Sequence, residues 1–153
     1  MNLRPKIALY EPDIPQNTAA IIRTCACLGA DLEIIEPCGF LFSDKRFKRV
    51  VMDYKQNCKI FRHEDYDKFL KKIKQSRIIL MTTKATKYYH KFKFKKNDIL
   101  LFGRESAGVP ENLHKSIKNK VKIPMNKKTR SLNVAMSVAI ISTEALRQNN
   151  LLK

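Results

Sequence analysis

Two stretches of the chain, Arg77-Ile-Ile-Leu-Met81 and Asp98-Ile-Leu-Leu-Phe102, are continuously apolar and begin on a charged residue. A strand with one wet face alternates apolar and polar side chains. An unbroken apolar run suits a strand buried on both faces, as in a parallel sheet covered by helices on either side. The rest of the sequence fits that frame. Ile7–Tyr10 and Leu32–Ile35 read as further strands, Lys59–Phe61 as a weaker one, and Val121–Ile123 as a brief one ended by Pro124. Helical patterns fall between them. One runs from Thr18 to Leu28, with Asn17 as its N-cap and Gly29 as its stop, and Asp44–Val51 forms a short basic helix. Asp65–Ile73 is amphipathic, Glu111–Ile117 is short, and Asn133–Asn149 closes the chain. Strands alternating with helices predict an α/β fold, a mostly parallel sheet with helices on both faces.

The length of 153 residues suits one domain spanning 1–153, and no repeat or Gly/Pro/Ser-rich linker divides it. No apolar run approaches the ~20 residues that cross a bilayer, and the first ten residues lack a signal-peptide core. The expectation is a soluble, unprocessed, cytoplasmic protein with no membrane partner. Cys25, Cys27, Cys38 and Cys58 lack zinc-site spacing, and His63, His90 and His114 form no HExxH pattern, so no metal is expected. Charge points outward to a partner. Thirty-one Lys and Arg against fourteen Asp and Glu give +17, a field that draws in polyanions such as nucleic acid. A generic lysine-rich surface is the plainer alternative.

Three constellations have the makings of a site. In Pro15-Gln-Asn-Thr-Ala-Ala-Ile-Ile-Arg-Thr24 the helix is apolar nearly all round, yet Arg23 sits in its middle. A helix hydrophobic on every side is expected to be buried, and a buried guanidinium needs a carboxylate, carbonyls or an anion. In Phe102-Gly-Arg-Glu-Ser-Ala-Gly-Val-Pro110, two of the chain's four glycines directly follow a buried strand, where ligands of open α/β sheets bind. A tight strand-to-helix turn explains them as well, and the pattern is neither GxGxxG nor a Walker loop. In Ile123-Pro-Met-Asn-Lys-Lys-Thr-Arg-Ser-Leu-Asn-Val-Ala-Met136, Arg130 lies beside a helix start for which Ser131 and Asn133 are candidate caps. A fourth stretch, Lys84–Lys96, interleaves six lysines with Tyr88, Tyr89, Phe92 and Phe94. It reads either as a surface that stacks bases and holds phosphates or as an edge strand burying Phe92 and Phe94.

In this order and spacing the first three constellations resemble the motifs of the SPOUT-class, SpoU-type RNA 2′-O-methyltransferases. The opening Leu-Tyr-Glu-Pro and the short length are most similar to the TrmL-like subgroup, which acts on the ribose of tRNA cytidine or uridine 34. The resemblance covers almost the whole chain. It implies a C-terminal trefoil knot, a homodimer, tRNA as partner and S-adenosylmethionine as cofactor. Cofactor contacts then fall on Met81, Gly103, Ile123 and Ser131. The catalytic arginine matches Arg23, with Asn17 beside it, and Glu105 and Arg130 match positions that shape the site. Methylation at another tRNA or rRNA position, or a non-catalytic RNA-binding module of the same fold, stay open beside this reading.

Further expectations go with it. Arginine is a poor general base, so Arg23 is expected to orient the ribose and steady the developing 2′-alkoxide. Gly103→Val is expected to fill the adenosyl space. Apolar surface on Ile21, Ile22, Val134, Val138, Ile141 and Leu146 is expected to exceed what one sheet covers and to drive dimerisation. The chain departs from its relatives at Ala135 and Met136, where Ser or Asn is common, and at Thr143, where a tyrosine tied to tRNA contact occurs.

Overall fold

A computed structural model of the chain describes residues 4–152. Its strands are β1 (Lys6–Tyr10), β2 (Leu32–Ile35), β3 (Ile60–His63), β4 (Ile78–Met81), β5 (Ile99–Phe102) and β6 (Asn119–Val121). Its helices are α1 (Pro15–Leu28), α2 (Lys45–Tyr54), α3 (Tyr66–Ile73), α4 (Glu111–Ser116) and α5 (Val134–Gln148). The strands form one six-stranded sheet in the order β3-β2-β1-β5-β4-β6, every neighbouring pair parallel. The expected α/β architecture is therefore present.

Of the two unbroken apolar runs, the one in β5 is buried along its whole length, and the one in β4 buries Ile79 and Leu80 with Ile78 and Met81 half-buried at its ends. β2 is buried throughout, Glu33 included. On one face Ile7, Leu9, Leu32, Ile34, Ile79 and Leu100 meet Ile21 and Ile22 of α1, Phe47 of α2, and Val138 and Ile141 of α5. On the other, Ala8, Tyr10, Ile35, Leu80 and Leu101 meet Phe69 of α3 and Leu113 of α4. Glu33, on this second face, lies at 2.6 Å from His63 Nε2 in a hydrogen bond, so the buried carboxyl has a polar partner.

Several boundaries differ from expectation. α1 begins at Pro15, not Thr18, with Ile14 at the cap position. Proline's fixed φ and missing N–H suit the first helical position, so Asn17 lies in the first turn and is not the N-cap. Asp44 and Asp65 are N-caps instead of first helical residues, and α2 continues to Tyr54. β6 lies two residues earlier than expected, which leaves Ile123 beyond the strand end. Phe92 and Phe94 are buried and meet edge to face at 5.0 Å, but outside any strand.

α1 is not buried all round. Gln16, Ala20, Arg23 and Cys27 make an exposed stripe along it, and Thr18, Ile21, Ile22 and Cys25 face the core. The side chains expected to need a dimer are covered within the single chain. Ile21, Ile22, Val138, Ile141 and Leu146 are all buried, and Val134 is half-buried.

Candidate active site

The loops leaving β4, β5 and β6 converge with the start of α1 and the start of α5 around a cavity of about 490 Å³. The strand order reverses between β1 and β5, and ligands of open α/β sheets bind at such a point, outside the carboxyl ends of the strands. Met81, Gly103, Ile123 and Ser131 all line this cavity, and so do Asn17 and Glu105. Arg23 and Arg130 do not. Arg130 is exposed in the loop just before Ser131. Arg23 lies six residues beyond Asn17, about 9 Å further along the helix axis at 1.5 Å per residue.

Arg23 is exposed, contrary to the burial expected of it. Its guanidinium sits 5.9 Å from the Tyr54 ring, and no carboxylate among the described residues pairs with it. The internal salt bridge weighed for Arg23 is thereby removed.

A hydrogen-bond chain ties the three sequence constellations together at the cavity rim. The Asn133 amide donates to Asn17 Oδ1 at 2.9 Å, and the Asn17 amide donates to Glu105 Oε1 at 3.3 Å. Asn133 Oδ1 also accepts from Ala135 N at 2.8 Å and Met136 N at 3.3 Å, so the same side chain caps α5. Ser131, the other candidate cap, makes no such contact and faces the cavity instead.

Asp13 does not stand out in the sequence, yet it clasps Glu105 reciprocally. Asp13 N donates to Glu105 Oε2 at 3.0 Å, and Glu105 N donates to Asp13 Oδ1 at 3.1 Å. Ser106 Oγ donates to the other Asp13 oxygen. Burial, and after it the Asp13 carboxyl, push Glu105 above the usual carboxylate range, while Glu105 holds Asp13 below it. Asp13 in turn lies against Gly39, where a Cβ would stand 2.7 Å from the Asp13 Cβ. The only sequence hint is the scarcity of glycine, since the clasp joins residues 92 apart. Arg104 pairs with Glu11 beside it. His114 of α4 is a further lining residue that the sequence did not mark, with Nε2 3.2 Å from Thr82 Oγ1.

Gly103 matters for a reason other than the one expected. A Cβ there would stand 2.6 Å from the Gly108 backbone and 3.0 Å from Val109 N. The 104–108 turn closes on itself through Arg104 N to Gly108 O at 3.1 Å and Gly108 N to Arg104 O at 2.9 Å. Gly103 therefore permits the turn's close approach, and Gly108, at φ +64°, has the left-handed backbone that glycine tolerates.

Residues 4–143 match the SpoU rRNA Methylase family. The chain belongs to this family. It is 49% identical over 144 residues, 93% of this chain and 90% of the other, to a protein of Beijerinckia indica named tRNA (cytidine(34)-2′-O)-methyltransferase. Among solved structures, one described as "Structural insights into the 2-OH methylation of C/U34 on tRNA" superposes with a TM-score of 0.89 at 35% identity, covering 96% of this chain and 91% of that one. An AdoMet-bound rRNA methyltransferase from Sinorhizobium meliloti shares the fold at a TM-score of 0.87 and 24% identity, covering 100% of this chain and 59% of that one. Ala135, Met136 and Thr143 do not line the cavity.

Proposed function

We propose that this protein transfers a methyl group from S-adenosylmethionine to the ribose 2′-hydroxyl of nucleotide 34 of a tRNA. The observation that carries the reading is the cavity whose rim, through Glu105, Asn17 and Asn133, unites all three motifs. The relatives named for that reaction supply the substrate. The cavity fits the cofactor. Its volume lies within the ~300–1,000 Å³ range of small-molecule sites, and its wall mixes apolar side chains (Leu80, Met81, Phe102, Val109, Ile123) with polar ones such as Thr82, His114, Ser131 and Ser137. When bound there, the cofactor supplies an electrophilic methyl on a sulfonium.

The chain's own residues have the remaining work. Met81, at the end of β4, and Ile123, two residues past β6, give apolar contact, Gly103 lets the 104–108 turn close on itself at the cavity wall, and Ser131 offers a hydroxyl. Glu105 and Asn17 fix the entry of α1 against that turn. Arg23, exposed on the same helix, is free to take an RNA phosphate or the reacting ribose, and Arg130 stands at the loop that carries Ser131. In-line transfer to an oxygen needs positioning and charge stabilisation more than covalent catalysis by the protein.

The same reading includes a homodimer. Ile14, Leu132 and Met136 are 41%, 41% and 63% exposed, and the first two line the cavity. A second copy over this face would bury them. It also includes the trefoil knot of the family, supported by the chain's return from the edge strand β6 to set α5 on the α1 face of the sheet. The cytoplasm, where tRNA resides, is the proposed location. Among the described residues no helix is long and apolar enough to cross a membrane, and the four cysteines are free thiols.

Nucleoside mass spectrometry of tRNA incubated with protein and cofactor, with the modified position mapped, tests the reaction. Methylation at a base, at another ribose, or of rRNA alone refutes it. Light scattering at micromolar concentration tests the dimer, which a monomer would refute.

A further inference from the structure

The basic stretch Lys84–Lys96 contains no acidic residue, and the reaction proposed above assigns it no role. Its aromatic residues divide into two groups. Phe92 and Phe94 belong to the core, and Gln148 of α5 locks them there, donating to Phe92 O and accepting from Phe94 N, both at 2.9 Å. Tyr88 behaves otherwise. It is 39% exposed and its ring lies nearly parallel to that of exposed His90, 11° apart with centroids at 5.8 Å. The backbone beneath Tyr88 is tied on both sides. Tyr89 N donates to Lys122 O at 2.9 Å and Lys122 N donates to Lys87 O at 3.0 Å, so the backbone on either side of Tyr88 is pinned to the segment leaving β6. The Lys122 ammonium lies 5.3 Å from the centre of the Tyr88 ring. Lys87 and Lys91 flank the stack and are exposed.

Exposed aromatic rings cost hydration, and core packing does not account for this pair. Flat rings with lysines around them are the arrangement that takes unpaired nucleotides, the rings stacking on bases and the ammonium groups on phosphates. Pinning the backbone beforehand reduces the ordering cost of binding. The surface also adjoins the candidate active site, because Lys84 and Lys122 line its cavity.

We propose that the Tyr88–His90 stack, with Lys87 and Lys91, is a docking surface for single-stranded RNA, on which an unpaired nucleotide of the substrate is held beside the active site. The inference rests on the RNA substrate proposed above, but its test is independent of methyl transfer. The probe is a short fluorescein-labelled RNA hairpin carrying an anticodon loop, titrated with the full chain and followed by anisotropy at several salt concentrations. Tyr88→Ala is expected to weaken binding about tenfold, the scale of one base stack, and Tyr88→Phe to retain it. Calorimetric affinity for S-adenosylmethionine and the melting temperature should stay at wild-type values. The double variant Lys87→Gln/Lys91→Gln, confined to exposed side chains, should reduce the slope of log K against log salt by about 0.7 for each phosphate that is no longer neutralised.

Wild-type hairpin affinity in Tyr88→Ala together with an unchanged salt slope in the lysine variant overturns the proposal, as does a wild-type protein that does not bind the hairpin. The two readings separate cleanly. A wild type that methylates tRNA, beside a Tyr88→Ala variant with unaltered KM for tRNA and unaltered hairpin affinity, sinks the docking surface alone. A wild type that binds the hairpin through Tyr88 but methylates no tRNA sinks the proposed reaction and leaves the surface standing.

Discussion

Asn133 does two jobs with one amide group, and substitution can separate them. Its oxygen caps α5, and its nitrogen donates to Asn17 and so fixes α5 to the α1–Glu105 junction. Asn133→Ala removes both. Loss of an N-cap costs about 1 kcal/mol, and loss of one exposed side-chain hydrogen bond about 0.5–1 kcal/mol, so the domain should lose about 2 kcal/mol. At this chain length that lowers Tm by roughly 4–8 °C. Asn133→Asp keeps the acceptor at the helix N-terminus, where a negative charge is favourable, but it cannot donate to Asn17 and it brings a carboxylate toward Glu105. Its melting temperature should stay within about 2 °C of wild type, at most half the loss in the alanine variant. Its affinity for S-adenosylmethionine should fall as far as in the alanine variant, because the rim is untied in both. Scanning calorimetry and titration calorimetry on the three proteins give both numbers. If Asn133→Asp melts as low as Asn133→Ala while binding cofactor like wild type, the division between cap and rim is wrong.

Other outcomes follow from the same geometry. Arg23→Ala should cut single-turnover methylation about 10²-fold or more and leave melting and cofactor affinity intact, since no carboxylate depends on that exposed guanidinium; Arg23→Lys should rescue little, lacking the planar fork. Gly103→Val should lose cofactor binding and also melt lower, because its Cβ meets the Gly108 backbone at 2.6 Å and the turn must open; a variant that melts like wild type but has lost the cofactor would restore the space-filling explanation. In a carboxyl-carbon NMR titration Glu105 should titrate above the usual glutamate range, and in Asp13→Asn it should move down but stay raised, because burial is the larger cause and Asp13 the second. A raised carboxyl pKa means that Glu105 favours the folded state on the acid side and loses that contribution as pH rises through its folded value. Asp13, held low, contributes above its unfolded value and loses that contribution as pH falls through its folded one.

Most of the sheet was legible because burial on both faces leaves a strong mark. The apolar runs at 78–81 and 99–102 became β4 and β5 at almost the expected limits, and Met81 and Gly103, which the resemblance marks as cofactor contacts, stand at their carboxyl ends. Helix starts were less legible. Asn17 has the chemistry of an N-cap, but Pro15 fixes the backbone earlier and leaves the amide available for Glu105 and Asn133. Arg23 misled for a related reason. Alanine is small enough to occupy a surface stripe as readily as a core, so hydropathy alone placed Ala20 inside with Ile21 and Ile22.

The clasp at Asp13 was hidden for a deeper reason. A carboxylate that accepts from a backbone N–H leaves no periodic signature, and its partner lies 92 residues away. What the sequence does carry is the consequence for its neighbours. The clasp needs a Gly39 that can lie against Asp13, and the turn it holds needs Gly103 and Gly108. Three of the chain's four glycines are therefore committed to one corner of the fold, and the fourth, Gly29, ends α1 in the left-handed conformation. A chain this sparing with glycine places it where the backbone has no substitute, and here two of those places, Gly103 and Gly108, line the cavity. The site is thus set mainly by backbone approach, with Asp13, Asn17, Glu105 and Asn133 as the ties that keep three distant segments in register. That is why titration calorimetry on the Asn133 variants reads the cofactor site through a residue whose amide is engaged by Asn17 and the α5 cap.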